Sequence, residues 1–384
     1  MSQLKIDVKD FQDKMRSILQ EVGCLTEKEI EALVTILAFA IGSKHLSLKT
    51  IAGKFEKKFG RKFLRDCLKK YCFIQRRVAK QQFFTMVKKI GKRKKIFVII
   101  DDTLVKKTGK KMEGVFRWYD HVHKRLIRAL GLVNLILVVE GRPIFILPWI
   151  IVKKPKRRRQ QVSPKKQQDI KTQAAMELSE EIINYAKEAG LSTNRFVFLA
   201  DSWYSNKTFI TFLKDRKVDF RIRAKKNYLV VVPDREAKKK AQQHKRGRKK
   251  KRFIKYVRLE DYFGDYHDWH YFTDPEKKQK VYYKKARVVL RQIKQVTVYA
   301  FRREGSNETI YILVRGVIRH PPDPRTVYFD YTLRWSIEQC HRELKQCFGL
   351  GLCQARDPWL ICGYVGLIYY GYGCWLFFTF AGLL

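Results

Sequence analysis

Four residues late in the chain combine side chains that handle phosphates and metal ions: Tyr331, Arg334, Glu338 and Lys345, within Tyr331-Thr-Leu-Arg334-Trp-Ser-Ile-Glu338-Gln-Cys-His-Arg-Glu-Leu-Lys345. Their spacing of 3, 4 and 7 residues places all four on one stripe of a continuous helix. A phenol, a guanidinium, a carboxylate and an ammonium facing one way suit a phosphate and a metal better than they suit a core. The same spacing also fits a solvated helix face laced with Glu–Arg and Glu–Lys pairs. The other acids of the chain decide between these readings.

Two apolar runs end in aspartate. Ile96-Phe-Val-Ile-Ile-Asp101-Asp102-Thr103 reads as a buried strand stopping in acid, and Arg195-Phe-Val-Phe-Leu-Ala-Asp201-Ser202-Trp203-Tyr204 is built the same way. A carboxylate at the end of a buried strand is costly unless a cation compensates it. Two such strands and a glutamate on a helix laid across the sheet edge make a site for two divalent cations. Hard cations take oxygen ligands, and a pair roughly 4 Å apart clamps both the attacking and the leaving oxygen of a phosphodiester.

Asp101, Asp201 and Glu338 in that order, the last inside Tyr-x2-Arg-x3-Glu-x6-Lys, resemble the DDE transposases of bacterial insertion sequences, in the branch defined by that signature. The resemblance runs from about residue 95 to about residue 350. It implies an α/β, ribonuclease-H-like mixed sheet flanked by helices, with a β-rich insertion between the second Asp and the Glu. It also implies metal-dependent cleavage and strand transfer of double-stranded DNA at the element's ends and into a target. Asp101, Asp201 and Glu338 would be catalytic residues and ligands of two Mg²⁺ ions, for which Mn²⁺ can substitute. Tyr331, Arg334 and Lys345 would contact DNA, and the active species would be a homodimer on DNA. Asp101 and Asp102 are adjacent and face opposite sides of a strand. Asp101 is the choice, because Asp-x-Thr at the end of the first strand is the commoner arrangement in ribonuclease-H-like enzymes. Two alternatives stay open, an endonuclease of the same fold that never joins strands and an inactive, transposase-derived DNA-binding protein.

Composition agrees with a polyanionic partner, since Lys and Arg number 82 against 37 Asp and Glu, a net charge of +45. With 384 residues and 45% hydrophobic content the chain can bury a large core. The eight cysteines show no C-x-x-C pair and read as reduced cytosolic thiols. No signal-peptide pattern opens the sequence, so the expected location is the cytoplasm, on the nucleoid.

Four segments are expected to position the site. Residues 1–90 read as a helical domain and a candidate for DNA binding, with apolar spacing over 8–19 and 27–40 and a Thr26/Glu29 capping box. Within them, two short basic amphipathic helices hinged near Gly60 fit a helix-turn-helix or, equally, a plain bundle. Residues 91–227 open the catalytic domain as a three-stranded meander. Its hairpin is 130–140 with 143–149 across Gly141-Arg142, and a helix over 169–189 that stops at Gly190 leads into the Asp201 strand. His121 and His123 could ligate a metal or be structural. Residues 228–317 read as the β-rich insertion, with interleaved aromatics (Tyr262, Tyr266, Trp269, Tyr271, Tyr282, Tyr283) that could stack on bases or pack in the sheet; the resemblance makes Tyr311 a candidate for holding a flipped base. Residues 318–384 return to the catalytic domain. Their uncharged tail, 359–384, is long enough to span a bilayer, but Gly363, Gly366, Gly371 and Gly373 with its tyrosines read as a buried helix and no membrane partner is expected. The basic runs 153–166 and 238–252 read as solvated loops.

Overall fold

The computed structural model describes residues 8–42, 50, 53–54, 58–91, 94–107, 112, 114–120, 124–150, 164–234, 254–264, 268–315, 321–353 and 355–382. His121, His123, Tyr266 and most of the two basic runs lie outside the described residues. The chain divides into unit one, Met1–Arg195 with Trp335–Leu384, and unit two, Phe196–Arg334.

Unit one begins with helices α1 (Val8–Glu21), α2 (Glu27–Gly42) and α3 (Arg61–Val87). The capping box of α2 is present: Thr26 N–H donates to Glu29 Oε2 at 2.8 Å and Glu29 N–H to Thr26 Oγ1 at 3.3 Å. Gly60 is the N-cap of the second of the two expected helices, which is not short but runs for 27 residues, because apolar residues recur every three or four positions from Leu64 to Met86 with no breaker between them. Most of 48–59, where the first was expected, lies outside the described residues.

Four strands follow, β1 (Ile96–Lys106), β2 (Val115–Asp120), β3 (Arg125–Val139) and β4 (Arg142–Ile150). Long β3 pairs antiparallel with β1 along one edge, and with β2 and then β4 along the other. The expected hairpin is in place, closed by Glu140 (φ 51°) and Gly141 (φ 77°), the left-handed pair that a two-residue turn requires. Two details differ from expectation. Strand β1 does not stop at the acids but runs five residues beyond Asp101, because Thr103 and Val105 continue its buried face. The meander also contains a fourth strand, β2. Helix α4 (Pro164–Glu188) packs on β3 and ends at Gly190 (φ 70°).

Unit two is a sheet ordered β5-β6-β12-β11-β10-β7-β8, with β9 also on β10. Its elements are β5 (Phe196–Ala200), α5 (Lys207–Asp215), β6 (Asp219–Arg223), β7 (Leu229–Pro233), β8 (Ile254–Arg258), α6 (Leu259–Phe263), β9 (His270–Thr273), β10 (Lys280–Leu290), β11 (Lys294–Arg303), β12 (Thr309–Arg315) and α7 (Pro324–Thr332). Strands β5 and β6 are parallel and joined through α5, which Asn206 caps; the other pairings are antiparallel. Val281, Tyr299, Phe301, Ile312, Val314, Val327 and Tyr328 form a buried cluster beneath α7.

The chain re-enters unit one through α8 (Trp335–Gln346) and closes with α9 (Pro358–Phe380). The continuous helix expected over 331–345 is therefore two helices. Leu333 N–H bonds to Asp330 O and Arg334 N–H to Tyr331 O, the tight i to i−3 pattern that ends α7. Val327 and Tyr328 are buried in the core of unit two, whereas Ile337, Cys340 and Leu344 are buried in unit one. On one straight helix those two faces would point roughly 160° apart at 100° per residue, so burial of both overrides continuity. Helix α9 is buried over 89% of its most apolar window and packs on α3 and β4. Its glycines permit close approach; a Cβ on Gly363 would lie 1.9 Å from Leu68 O of α3.

Candidate active site

In unit one the strand register decides which of the adjacent aspartates faces the glutamate helix. Asp101 is paired with Asn134 across β1 and β3, and Asp102 with Val133. Directly opposed residues of antiparallel strands project to the same face. Asn134 Nδ2 lies 2.7 Å from His341 Nε2 of α8. Asp101 therefore stands on the face that α8 covers, and Glu338 lies one turn before His341 on the same side of that helix. Asp102 points the other way, to an ion pair with Lys171 of α4 at 2.6 Å, both side chains largely buried at 16% and 10% exposure. The Lys171 ammonium also stands over the Trp118 ring of β2. Gly131 makes room for that ring, since a Cβ there would come within 2.6 Å of it.

The helix that carries Glu338 is held by a neutral histidine. His341 is 7% exposed, and burial, with the nearby Lys345 ammonium adding to it, pushes its pKa down to about 3. An amide nitrogen can only donate, so Nε2 accepts from Asn134 and the ring proton sits on Nδ1. Lys345 is solvent-exposed at the end of α8. Partial withdrawal of its ammonium from water lowers its pKa, Lys106 adds to that, and Asp120 and Asp102 oppose it.

Unit two carries Asp201, Tyr331 and Arg334. Asp201 follows β5 directly, and its Oδ1 accepts from Trp203 N–H at 2.8 Å, which fixes the carboxylate at the strand-to-helix junction that the sequence indicated. Burial raises the Tyr331 hydroxyl to about 12 with Asp201 contributing, while Arg334, which donates a hydrogen bond to it, and Arg223 pull it down. Tyr331 is thus a neutral phenol within electrostatic reach of Asp201. The end of α7 is anchored by Arg221, 1% exposed, which bonds Asp219 at 2.8 Å and approaches Asp330 at 3.6 Å.

Unit one thus brings Asp101 toward the helix of Glu338 and Lys345, and unit two groups Asp201 with Tyr331 and Arg334. Among the described residues, no three His, Cys, Asp or Glu side chains gather as a ready-made metal site. The donor chemistry of the three acids nevertheless fits a hard divalent cation, since all their ligand atoms are carboxylate oxygens.

Lys171, Asn134, His341 and Arg223 were missed by the sequence reading. Only Lys171, a cation on the buried side of an otherwise apolar-faced helix, left a local signal. Tyr311 is corrected: it is 5% exposed and packed against Phe263, so it is a core residue and not a stacking platform. Trp269 is likewise buried, whereas Tyr262 and Tyr271 are exposed.

A family profile described as "DDE superfamily endonuclease" matches residues 23–297, a span that holds Asp101 and Asp201 and ends before Tyr331 and Glu338. No curated protein matches the chain. Among solved structures, endonuclease V of Ciona intestinalis, an Asp-to-Asn variant in complex with a 23mer DNA containing an inosine followed by a ribo-adenosine, aligns at 9% identity with a TM-score of 0.26. That alignment covers 68% of this chain and 95% of the other.

Proposed function

The chain belongs to the DDE superfamily endonuclease family, and on that premise we propose that it is a transposase, cleaving DNA at the ends of its own insertion sequence and joining those ends to a target. The observation that carries the reading is the register of β1 and β3, which sets Asp101 on the face covered by the helix of Glu338. The Tyr331, Arg334, Glu338, Lys345 spacing supports the particular branch.

DDE superfamily nucleases generally use divalent metal ions. Asp101, Asp201 and Glu338 would hold two Mg²⁺ ions here, with Mn²⁺ able to replace them. Such ions, when bound, activate the attacking hydroxyl and stabilise the leaving oxygen. The remaining work falls to the protein. Lys171 engages Asp102, so the acid pair presents one carboxylate to the site and the other to an internal cation. Arg334, braced by its bond to Tyr331, offers a planar fork to two phosphate oxygens, and Lys345 a point charge to another. Neutral Tyr331 can donate its hydroxyl proton in a hydrogen bond. DNA is the partner that the family and a charge of +45 favour; ends paired for joining call for a homodimer on DNA, in the cytoplasm on the nucleoid.

The test uses duplex DNA carrying the gene's own flanks, Mg²⁺, and the single variants Asp101→Asn, Asp201→Asn and Glu338→Gln. Each is expected to lose cleavage by more than about 100-fold, the several kcal/mol that metal ligation contributes, with DNA affinity nearly intact. Cleavage retained by any one variant removes that residue from the assignment, and Asp102→Asn serves as the control for the choice between neighbours.

A further inference from the structure

Outside this site, the tightest unexplained group of reactive side chains lies where α3 meets α9 in unit one. Cys72 of α3 is buried, and Cys362 of α9 is only partly covered. The Gln75 side-chain amide donates to Cys362 Sγ at 3.1 Å and stands 3.9 Å from Cys72 Sγ, so both sulfurs share one nitrogen. The helices touch backbone to backbone here: a Cβ on Gly363, the residue after Cys362, would lie 3.4 Å from Cys72 N. The Cys72 and Cys362 thiols are also hydrogen-bonded to each other, so the two sulfurs stand in contact.

The geometry points to a two-cysteine modification site, in which Cys362 is a nucleophile toward hydroperoxides and Cys72 resolves it into a reversible disulfide between α3 and α9. In the first step the Cys362 thiolate attacks the peroxide O–O bond. Sulfur is oxidised to the sulfenic acid and the second oxygen leaves as alkoxide or hydroxide. In the second step Cys72 sulfur attacks Cys362 sulfur, the S–S bond forms, and the hydroxyl leaves with the Cys72 proton as water. The sum is two thiols and one hydroperoxide giving one disulfide, one alcohol or water, and one further water.

The electrostatics agree with that division of labour. The hydrogen bond from the Cys72 thiol, with help from Gln75 and Arg76 and against burial, holds Cys362 below the ordinary thiol range, while the same bond, burial and Asp357 push Cys72 far up. Among the charged groups near the pair, Arg76 is bridged to Glu181 of α4 and Asp357 to Lys69 of α3. Thiolate character with an open approach is what makes a cysteine reactive, and a buried protonated neighbour is placed to resolve it.

The experiment treats the full chain with mild hydrogen peroxide, maps its peptides, and in parallel follows iodoacetamide alkylation of each cysteine against pH, with exposed Cys347 as internal reference. Three results are expected: a Cys72–Cys362 linked peptide that thiol reductant dissolves, a Cys362 alkylation midpoint below the ordinary thiol range, and, in Cys72→Ser, a sulfenic acid at Cys362 trapped by dimedone. The first two are read on the wild-type chain, so a poorly folding variant does not blunt the test. Alkylation of Cys362 no faster than that of Cys347, or peroxide treatment that leaves Cys362 unlinked to Cys72, overturns the assignment.

Discussion

Acid should loosen the helix that carries Glu338, and His341 sets how much. The ring is held neutral in the fold with a pKa of about 3, against 6.5 when free. A base whose pKa is depressed on folding binds its proton more readily in the unfolded chain. Its contribution is therefore fully present above about pH 6.5 and is lost as the pH falls toward 3. At pH 4 the unfolded chain is almost wholly protonated at this site and the folded one hardly at all, so the linkage costs about 3 kcal/mol. The perturbation is His341→Gln, whose amide can still accept from Asn134 but does not titrate. Urea unfolding at pH 7 and pH 4 measures the difference, and carboxylates elsewhere contribute equally to both proteins. Wild type is expected to lose about 3 kcal/mol more than the variant over that interval. Equal losses would refute the buried neutral histidine, and with it the contact that aligns α8 over β1.

Other substitutions probe the remaining supports. Lys171→Met leaves the Asp102 carboxylate largely buried without its cation and should destabilise unit one by roughly 3–5 kcal/mol in thermal unfolding, whereas the double variant Lys171→Met with Asp102→Leu should recover most of that loss. Gly363→Ala drives a Cβ to 1.9 Å from Leu68 O, so α3 and α9 must part; a loss of about 1–3 kcal/mol is expected, and a neutral result would mean that they do not pack so closely. Arg334→Ala and Lys345→Ala should each weaken binding to cut-ready DNA ends and reduce the salt slope by about one unit, with Arg334→Lys no better than Arg334→Ala; unchanged slopes would mean that these cations serve the protein interior.

Local patterns carried much of the architecture. The Glu140-Gly141 turn, the stop at Gly190, the aspartate at the end of β5 and the strand-rich region after Tyr228 all depend on residues within a few positions of one another. What escaped was decided at a distance. The break at Leu333 follows from two apolar faces entering two cores, which a count of 3, 4 and 7 along the chain does not register. Strand β2 went unnoticed because its six residues, Val115-Phe-Arg-Trp-Tyr-Asp120, are short and sit beside a basic loop, although their alternating burial is regular. The sequence separates Asp101 from Asp102 only through family resemblance, because the face each takes is set by the Asn134 to His341 contact across 207 positions. Tyr311 illustrates the converse, since a resemblance to a family does not distinguish a sheet-core tyrosine from an exposed one.

Joining, not cutting, distinguishes the proposed activity most sharply. A labelled duplex carrying the gene's own flank, already cut to expose its terminal 3′ hydroxyl, is incubated with the protein, Mg²⁺ and supercoiled target plasmid. The label is expected to become covalently attached to the target with wild type and not with Glu338→Gln. A protein that nicks or hydrolyses the duplex yet never attaches it to the target would contradict the transposase reading and leave an endonuclease of the same family.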